Sequence, residues 1–472
     1  MKKQLLLFVT IFLPMVANAD PVEIDGIFYN LISKIQTAEV TENPNKYSGE
    51  VTIPKTVTYG GNEYNVTSIG REAFSKCVGL TSITIPNSVT TIDSGAFYNC
   101  FGLTSVTIPN SVTIIAYQVF YGCSGLTSVT IPNSVTTIKN EAFAWCSALP
   151  SITIPNGVTS IRDDAFYGCS SLTSITIPIS VTEIGESAFM DCNSLTSVHI
   201  SSIEAWCNIS FADNPLKYGG HLYLNGEEIK DLVIPNSVTS IGFRTFYGCR
   251  GLTSVTIPNS VTSIGFNAFS GCTGLTTVTI PNSVTDIGNQ AFAGCSGLTS
   301  ITIPNGVTII QPNTFQNCSG LTSVIIPNSV TDISFNAFSS CSSLTSVTIG
   351  SGVTQIGDFS FSQCPELTDV YCLAKNVPSI DRNDFQGSYI EHATLHVPSG
   401  CVDAYKAKAP WNEFKSIVEY EGTGINDIEN SAVTKSFDVY DLNGRKILIE
   451  VTSLDGLPNG VYIVNSKKIL KK

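Results

Sequence analysis

The chain has 472 residues, 43% of them hydrophobic and only 13% charged, with a formal net charge of −13. That composition belongs to an ordered protein rather than a disordered one. An acidic excess with no basic stripe to offset it excludes DNA or RNA as a partner.

Residues 1–19 read as a secretory signal peptide: Lys2 and Lys3, an apolar stretch Leu5 to Val16, and Ala17-Asn18-Ala19 as a small-x-small cleavage site. The apolar stretch is too short for a membrane anchor, which needs about 20 residues. Cleavage leaves Asp20 first, not Cys, so no lipidated N-terminus is expected. The loss of two lysines takes the net charge from −13 to −15. Residues 20–66 form a β-rich N-terminal cap with turns at Asp25-Gly26 and Gly60-Gly61, and Val51-Thr-Ile-Pro54 is a partial echo of the repeat downstream.

From there the chain repeats every 23 residues. Cysteines stand at 77, 100, 123, 146, 169 and 192, and again at 249, 272, 295, 318, 341 and 364. A period of this length means stacked coils, each burying its apolar face only against its neighbours, so a lone coil is unstable and the ends need caps. In Leu103-x-x-Val106-x-Ile108, alternation turns Val106 and Ile108 inward and Ser105 and Thr107 outward, as in a strand. Pro109 stops the strand and Asn110-Ser111 turns the chain. Val112 and Ile115 face back in, and Phe120 and Cys123 close the coil. The repeat fills 67–192 and 236–371.

Twelve of the fifteen cysteines share one repeat position. Neighbouring coils place equivalent residues ~4.8 Å apart with side chains parallel, whereas a disulfide needs Cβ atoms at ~3.8 Å with a set twist. A ladder of buried free thiols is therefore expected, with any true bridge among Cys207, Cys372 and Cys401.

Residues 193–235 break the period. Ser201-x-x-Glu204 has the form of a capping box, predicting a helix over 202–209 with Trp206 inward. Asn225-Gly226 predicts a hairpin turn. The stretch is either a structural insert joining two halves of the array or a ligand-binding protrusion using Trp206, Phe211, Tyr218, His221 and Tyr223. Leu367 to Tyr371 is the last recognisable strand. Residues 372–420 form a C-terminal cap, with a short helix from Cys401 ending before Pro410 and Trp411 and Phe414 covering the core. A linker, 421–433, leads to a β-rich module, 434–472, of net charge +3.

The outward strand positions are a neutral carpet of Ser and Thr, with His199, Ile325, Asp369 and Tyr371 as exceptions. The carpet lacks the aromatic and Arg anchors of binding hot spots, so it favours weak, extended contact. His199, His221, His392 and His396 are too scattered for a metal site, and the last two are expected in solvent on one strand face. Asp441-x-Asn443-Gly444 reads as a hairpin turn rather than a calcium loop. No nucleophile elbow or phosphate loop appears, and no cofactor, metal or catalytic residue is assigned. The break between the two cysteine runs, 193–248, holds 56 residues, too few for an ordinary catalytic domain.

The coil Leu-x-x-Val/Ile-x-Ile-Pro…Val-x-x-Ile…Ala-Phe-x-x-Cys-x-x-Leu, with Ala96-Phe97, Ala142-Phe143, Ala165-Phe166, Ala188-Phe189, Ala268-Phe269, Ala291-Phe292 and Ala337-Phe338, resembles the BspA-like, or treponemal-type, leucine-rich repeat. The resemblance implies a right-handed, β-dominated α/β-type solenoid with a parallel, strand-lined concave face. It also implies a non-enzymatic protein of a bacterial or parasite surface. Some members are adhesins for host matrix proteins. The tail, through Gly444, Gly460, Tyr462, Lys468 and Lys471, resembles the C-terminal sorting domain of Bacteroidetes type IX secretion; the alternative is a small β cap with no address function. The expected function is therefore adhesion or protein–protein interaction by a secreted or outer-membrane surface protein. Its expected partners are host extracellular matrix, another surface protein or a glycan; the mature chain is expected to be monomeric and not membrane-spanning. A spacer or display scaffold, an accessory part of a carbohydrate-active or peptidase system, and ice recognition by the Ser-x-Thr ladder are the alternatives.

Overall fold

The structure is a computed structural model. It describes residues 20–420 and the strands Phe437–Tyr440, Lys446–Val451, Gly460–Val464 and Lys467–Lys471. The signal-peptide segment, the linker and the Asn443-Gly444 turn lie outside the described residues. The chain divides into two units, Met1–Glu228 and Ile229–Lys472.

Both units are β-dominated solenoids of 23-residue coils. The strand Ser128–Thr130 lies parallel to Ser105–Thr107, pairing Ser128 with Ser105 and Val129 with Val106. The return segment carries a second short strand that the single-strand reading did not anticipate: Ile114–Ile115 pairs in parallel with Thr137–Ile138. Each coil thus adds one rung to two ladders. The hydroxyl groups reinforce them. Thr127 Oγ1 donates to Thr104 O at 3.1 Å, Thr136 Oγ1 to Thr113 O at 3.3 Å, and Ser134 Oγ to Val112 O at 2.7 Å. Much of the Ser and Thr content therefore satisfies carbonyls of the preceding coil, where an unpaired group would cost free energy.

Inside, phenylalanine rings stack coil upon coil. From Phe74 to Phe189 centroids are 5.1–5.4 Å apart and planes within 13°. From Phe246 to Phe385 the range is 5.2–5.7 Å. Offset stacks of this spacing add to burial. The cysteines are free, and all but Cys401 are buried. They are also donors: Cys123 Sγ bonds Phe97 O at 3.1 Å, and Cys295 Sγ bonds Phe269 O at 3.2 Å. Burial raises the thiol pKa, to about 12 at Cys192 and Cys364 and well above the ordinary value at Cys146, Cys169, Cys272, Cys295, Cys318 and Cys341.

In the first unit the N-terminal cap is β-rich. Val22–Ile24 and Ile27–Ile32 are antiparallel around Asp25-Gly26, and Thr56–Tyr59 and Asn62–Ile69 around Gly60-Gly61. The echo Val51-Thr-Ile-Pro54 belongs to a true rung, since Gly49–Thr52 pairs in parallel with Leu80–Thr84. The segment expected to be irregular is largely a further coil. Ser197–Ile200 continues the first ladder, Ser210–Phe211 the second, and His221–Leu224 pairs in parallel with Ser197–Ile200. It does not form a separate protrusion. The helix is Ile203–Cys207, and its cap is Ser202, whose side chain accepts from Ala205 N at 3.1 Å. Ser201 and Glu204 therefore make no capping box, because Glu204 falls one position short of it. An unanticipated short helix, Leu216–Gly219, precedes the last strand. The expected hairpin turns at Asn225-Gly226, with Leu224 paired to Glu227.

In the second unit Asp231–Val233 resumes the ladder. The ladder does not end at Tyr371. Thr394–Pro398 pairs in parallel with Asp369–Cys372, and Ser416–Tyr420 with Thr394–Pro398. Their spacing departs from 23, which hid them in the sequence. The helix Val402–Lys406 and the buried Trp411 and Phe414 close this end. Tyr405 donates to Ala374 O at 2.7 Å and Trp411 Nε1 to Pro378 O at 3.2 Å. The four strands of the tail form an antiparallel sheet.

Candidate functional surface

The five residues singled out from sequence do not share one surface. Trp206 and Phe211 are buried with ring centroids 4.9 Å apart, and belong to the core of their coil. Tyr218 is half-buried and donates to Asp213 Oδ2 at 2.9 Å, so burial and that carboxylate raise its pKa. His221 and Tyr223 do reach the strand face. Tyr223 pairs with His199 in register, and their rings stack at 4.7 Å. His221 Nδ1 meets Glu228 Oε1 at 2.5 Å. Ser197 Oγ lies 3.2 Å from His199 Nε2. Through register alone, the last strand pair of the first unit gathers two imidazoles, a phenol and a carboxylate.

A second patch of the same chemistry lies on the terminal strands of the second unit, and sequence reasoning missed it as a cluster. Asp369 and Tyr371 stood out as exceptions, but His396 was expected in solvent. His396 instead is half-buried. It stacks on Tyr371 at 4.2 Å and meets Asp369 Oδ1 at 2.9 Å. Tyr420 packs edge-on against Tyr371 at 5.8 Å. His392 takes no part; it lies in the 3₁₀ turn Ile390–His392, outside the strand. Desolvation, then Asp369 and Tyr420, raise the Tyr371 pKa. The signal that could have found this patch is the His396 to Tyr371 spacing of 25, two over the period.

Elsewhere the outward positions are mostly Ser and Thr, with Asp231, Val233 and Ile325 as exceptions. No group of His, Cys, Asp and Glu able to hold a metal ion occurs among the described residues, and no described helix is long and apolar enough to cross a membrane. The arrangement offers stacking faces, hydrogen-bonding imidazoles and carboxylates at the ends of two ladders, on a rigid scaffold.

A repeat scaffold of this kind defines a leucine-rich repeat protein, and comparison with known proteins agrees. The BspA type leucine rich repeat region matches residues 55–144, 113–220, 218–319 and 287–402, so the chain belongs to that family. The family supports a role as a protein-interaction scaffold. A leucine-rich repeat protein from Bacteroides ovatus is similar at 29% identity and TM-score 0.51, over 80% of this chain and 99% of its own. A leucine rich cell surface protein from Faecalibacterium prausnitzii is 29% identical over 78% of this chain and 98% of its own, with TM-score 0.45. No curated protein matches the chain.

Proposed function

We propose that this is an exported, cell-surface or secreted adhesion protein. It binds host matrix or other surface proteins through its strand faces and has no catalytic activity. The observation behind this reading is the pair of aromatic–histidine patches, His199–Tyr223 and Tyr371–His396, set at the ends of ladders that otherwise present mostly hydroxyls. Aromatic side chains with hydrogen-bonding edges are what interface hot spots use, and plain Ser and Thr are not. Residues 1–19 would direct export. The tail would then serve as a sorting module of the type IX kind. The strands around its basic residues pair as a compact antiparallel sheet, which fits that role.

The test is binding of the mature chain to immobilised fibronectin, fibrinogen and a glycan panel, with Tyr223→Ala and Tyr371→Ala as variants. Saturable binding weakened at least tenfold by either substitution supports the reading. Binding indifferent to both places the site elsewhere. Absence of saturable binding to every surface favours the spacer role, which the hydroxyl-rich strand positions would suit.

A further inference from the structure

The return side of the first unit carries a surface that the strand-face patches do not explain. Tyr98 and Tyr121, on successive coils, stack at 4.9 Å with planes 8° apart. Tyr121 lies against the Trp145 side chain, and Trp145 meets Tyr167 edge-on at 5.2 Å. Trp145 is 44% exposed, whereas Trp206 and Trp411 are 1% and 0% exposed. The strip is therefore continuous over four coils, half-buried at its tyrosines and open to solvent at Trp145. At one end it borders a cleft of ≈ 200 Å³ lined in part by Arg71, Glu72, Lys76, Tyr98, Tyr117 and Gln118, so the acidic excess of the strip lies toward its Tyr167 end.

Carboxylates flank the rings. Tyr117 lies against Glu141, which also accepts from Gln118 Nε2 at 2.8 Å. Tyr167 lies against Asp191. Asp164 feels Glu141, Asp163 and Glu186, and its pKa is raised by partial burial and by these like charges. Between residues 139 and 191 the only cations are Lys139 and Arg162, set against Glu141, Asp163, Asp164, Glu183, Glu186 and Asp191. Arg162 is already paired with Glu183 at 2.7 Å. The strip thus combines open ring faces, which attract cations, with uncompensated negative charge.

We infer that the strip Tyr98–Tyr121–Trp145–Tyr167, with Glu141, Asp164 and Asp191, docks a lysine- or arginine-rich segment of a partner protein. The basic side chains lie over the rings and reach the carboxylates beside them. This surface is separate from the strand-face patches and stands whether or not they bind.

The three-tryptophan composition supplies the experiment, because only Trp145 is exposed. The mature full-length chain is titrated with a synthetic Lys/Arg decapeptide at low salt, and both tryptophan emission and heat of binding are followed. A Gly/Ser decapeptide, a Glu decapeptide and a neutral glucan oligosaccharide serve as comparisons. The expected result is saturable binding of the basic peptide with a change in Trp145 emission. That binding should weaken at least tenfold between 50 and 300 mM salt, as screening demands. By calorimetry, Trp145→Gly and the double variant Glu141→Gln/Asp164→Asn should each weaken it at least fivefold. Trp145 occupies a left-handed backbone position, φ 62°, where neighbouring coils have Gly122 and Gly168, so Trp145→Gly is expected to fold. The double variant keeps every ring. Absence of saturable binding, binding unaltered in both variants, or binding of the oligosaccharide in place of the basic peptide would each overturn the inference.

Discussion

The return surfaces of the two units are built on the same coil and carry their aromatic side chains at different positions. At the position after the stacked phenylalanine, the first unit has Ser75, Tyr98, Tyr121, Ala144, Tyr167 and Met190, and the second has Tyr247, Ser270, Ala293, Gln316, Ser339 and Ser362; the second instead exposes Phe243 and Phe266, stacked at 5.5 Å, three residues before its stacked phenylalanines. The buried side chains beneath do not register the difference. Phe143 and Phe166 stack at 5.4 Å, as do Phe269 and Phe292, and Cys169 and Cys295 make the same 3.2 Å bond to a phenylalanine carbonyl. The coil therefore fixes only its inward residues and its turn positions. What the return side displays is free to vary, so a concentration of aromatics there is a property of the surface and not of the fold.

If the shared core is the sole source of stability, both units must weaken together under alkali. This is the largest effect expected, because it is collective. A thiol held neutral by burial has a folded pKa above its unfolded value near 9. Its stabilising effect is complete below that unfolded value and is lost as pH rises from about 9 towards 12 and beyond. The loss is about 1.4 kcal/mol per pH unit for each such thiol. Hydrogen exchange at pH 8, 9 and 10 should show protection falling in parallel at Cys146–Cys169 and at Cys272–Cys341. Loss confined to one unit would break the equivalence of the two cores.

Single truncations sharpen the same point. Phe143→Ala and Phe292→Ala each remove a fully buried ring between two stacked neighbours. Each should cost about 3–5 kcal/mol, read as the shift in urea midpoint. A large disagreement between the two would mean that the surface aromatics of the first unit support its core.

One device has no counterpart among the described residues of the first unit. Asp384 is fully buried near the end of the second, accepts from Asp381 N at 2.7 Å, and leaves Oδ1 without a partner. Burial, then Asp358 and Asp381, push its pKa up to about 7. A raised carboxyl stabilises the fold fully below pH ~4, and this stabilisation is lost as pH climbs to about 7. The effect is about 2–4 kcal/mol. Asp384→Asn should flatten that dependence between pH 4 and 8; an unchanged slope would place the titrating group elsewhere.

The regular part of this architecture was legible from residue spacing alone. Strict steps of 23 gave the strand, its facing and the thiol ladder. Where the step changed, legibility failed for a physical reason. The rungs at His221, Thr394 and Ser416 follow 24, 25 and 22 residues after their neighbours, and register across strands cannot be counted through such irregular returns. For that reason Tyr223 could be placed on a candidate surface without its partner His199, and His396 was sent to solvent. Trp206 meets the inward expectation for its helix and not the ligand-binding alternative, since it is buried.

The smallest effect expected is also the most discriminating. Trp145→Gly removes an exposed bulky residue from a left-handed backbone position that costs L-residues about 1–2 kcal/mol, and it gives up an edge contact with Tyr167 of similar size. The ring also rests over Gly168, where an added Cβ would come within 2.7 Å of Trp145 Cε3. The net change in stability should therefore stay within about 1 kcal/mol in either direction, a shift of a few degrees at most in the melting temperature. Were the tryptophan a structural element, its removal would cost several times that, as burial of so large a side chain normally would. A stable Trp145→Gly variant would mean that the first unit keeps a strained, solvent-facing indole that its own fold does not need, which is the pattern of a residue retained for what it touches outside the chain.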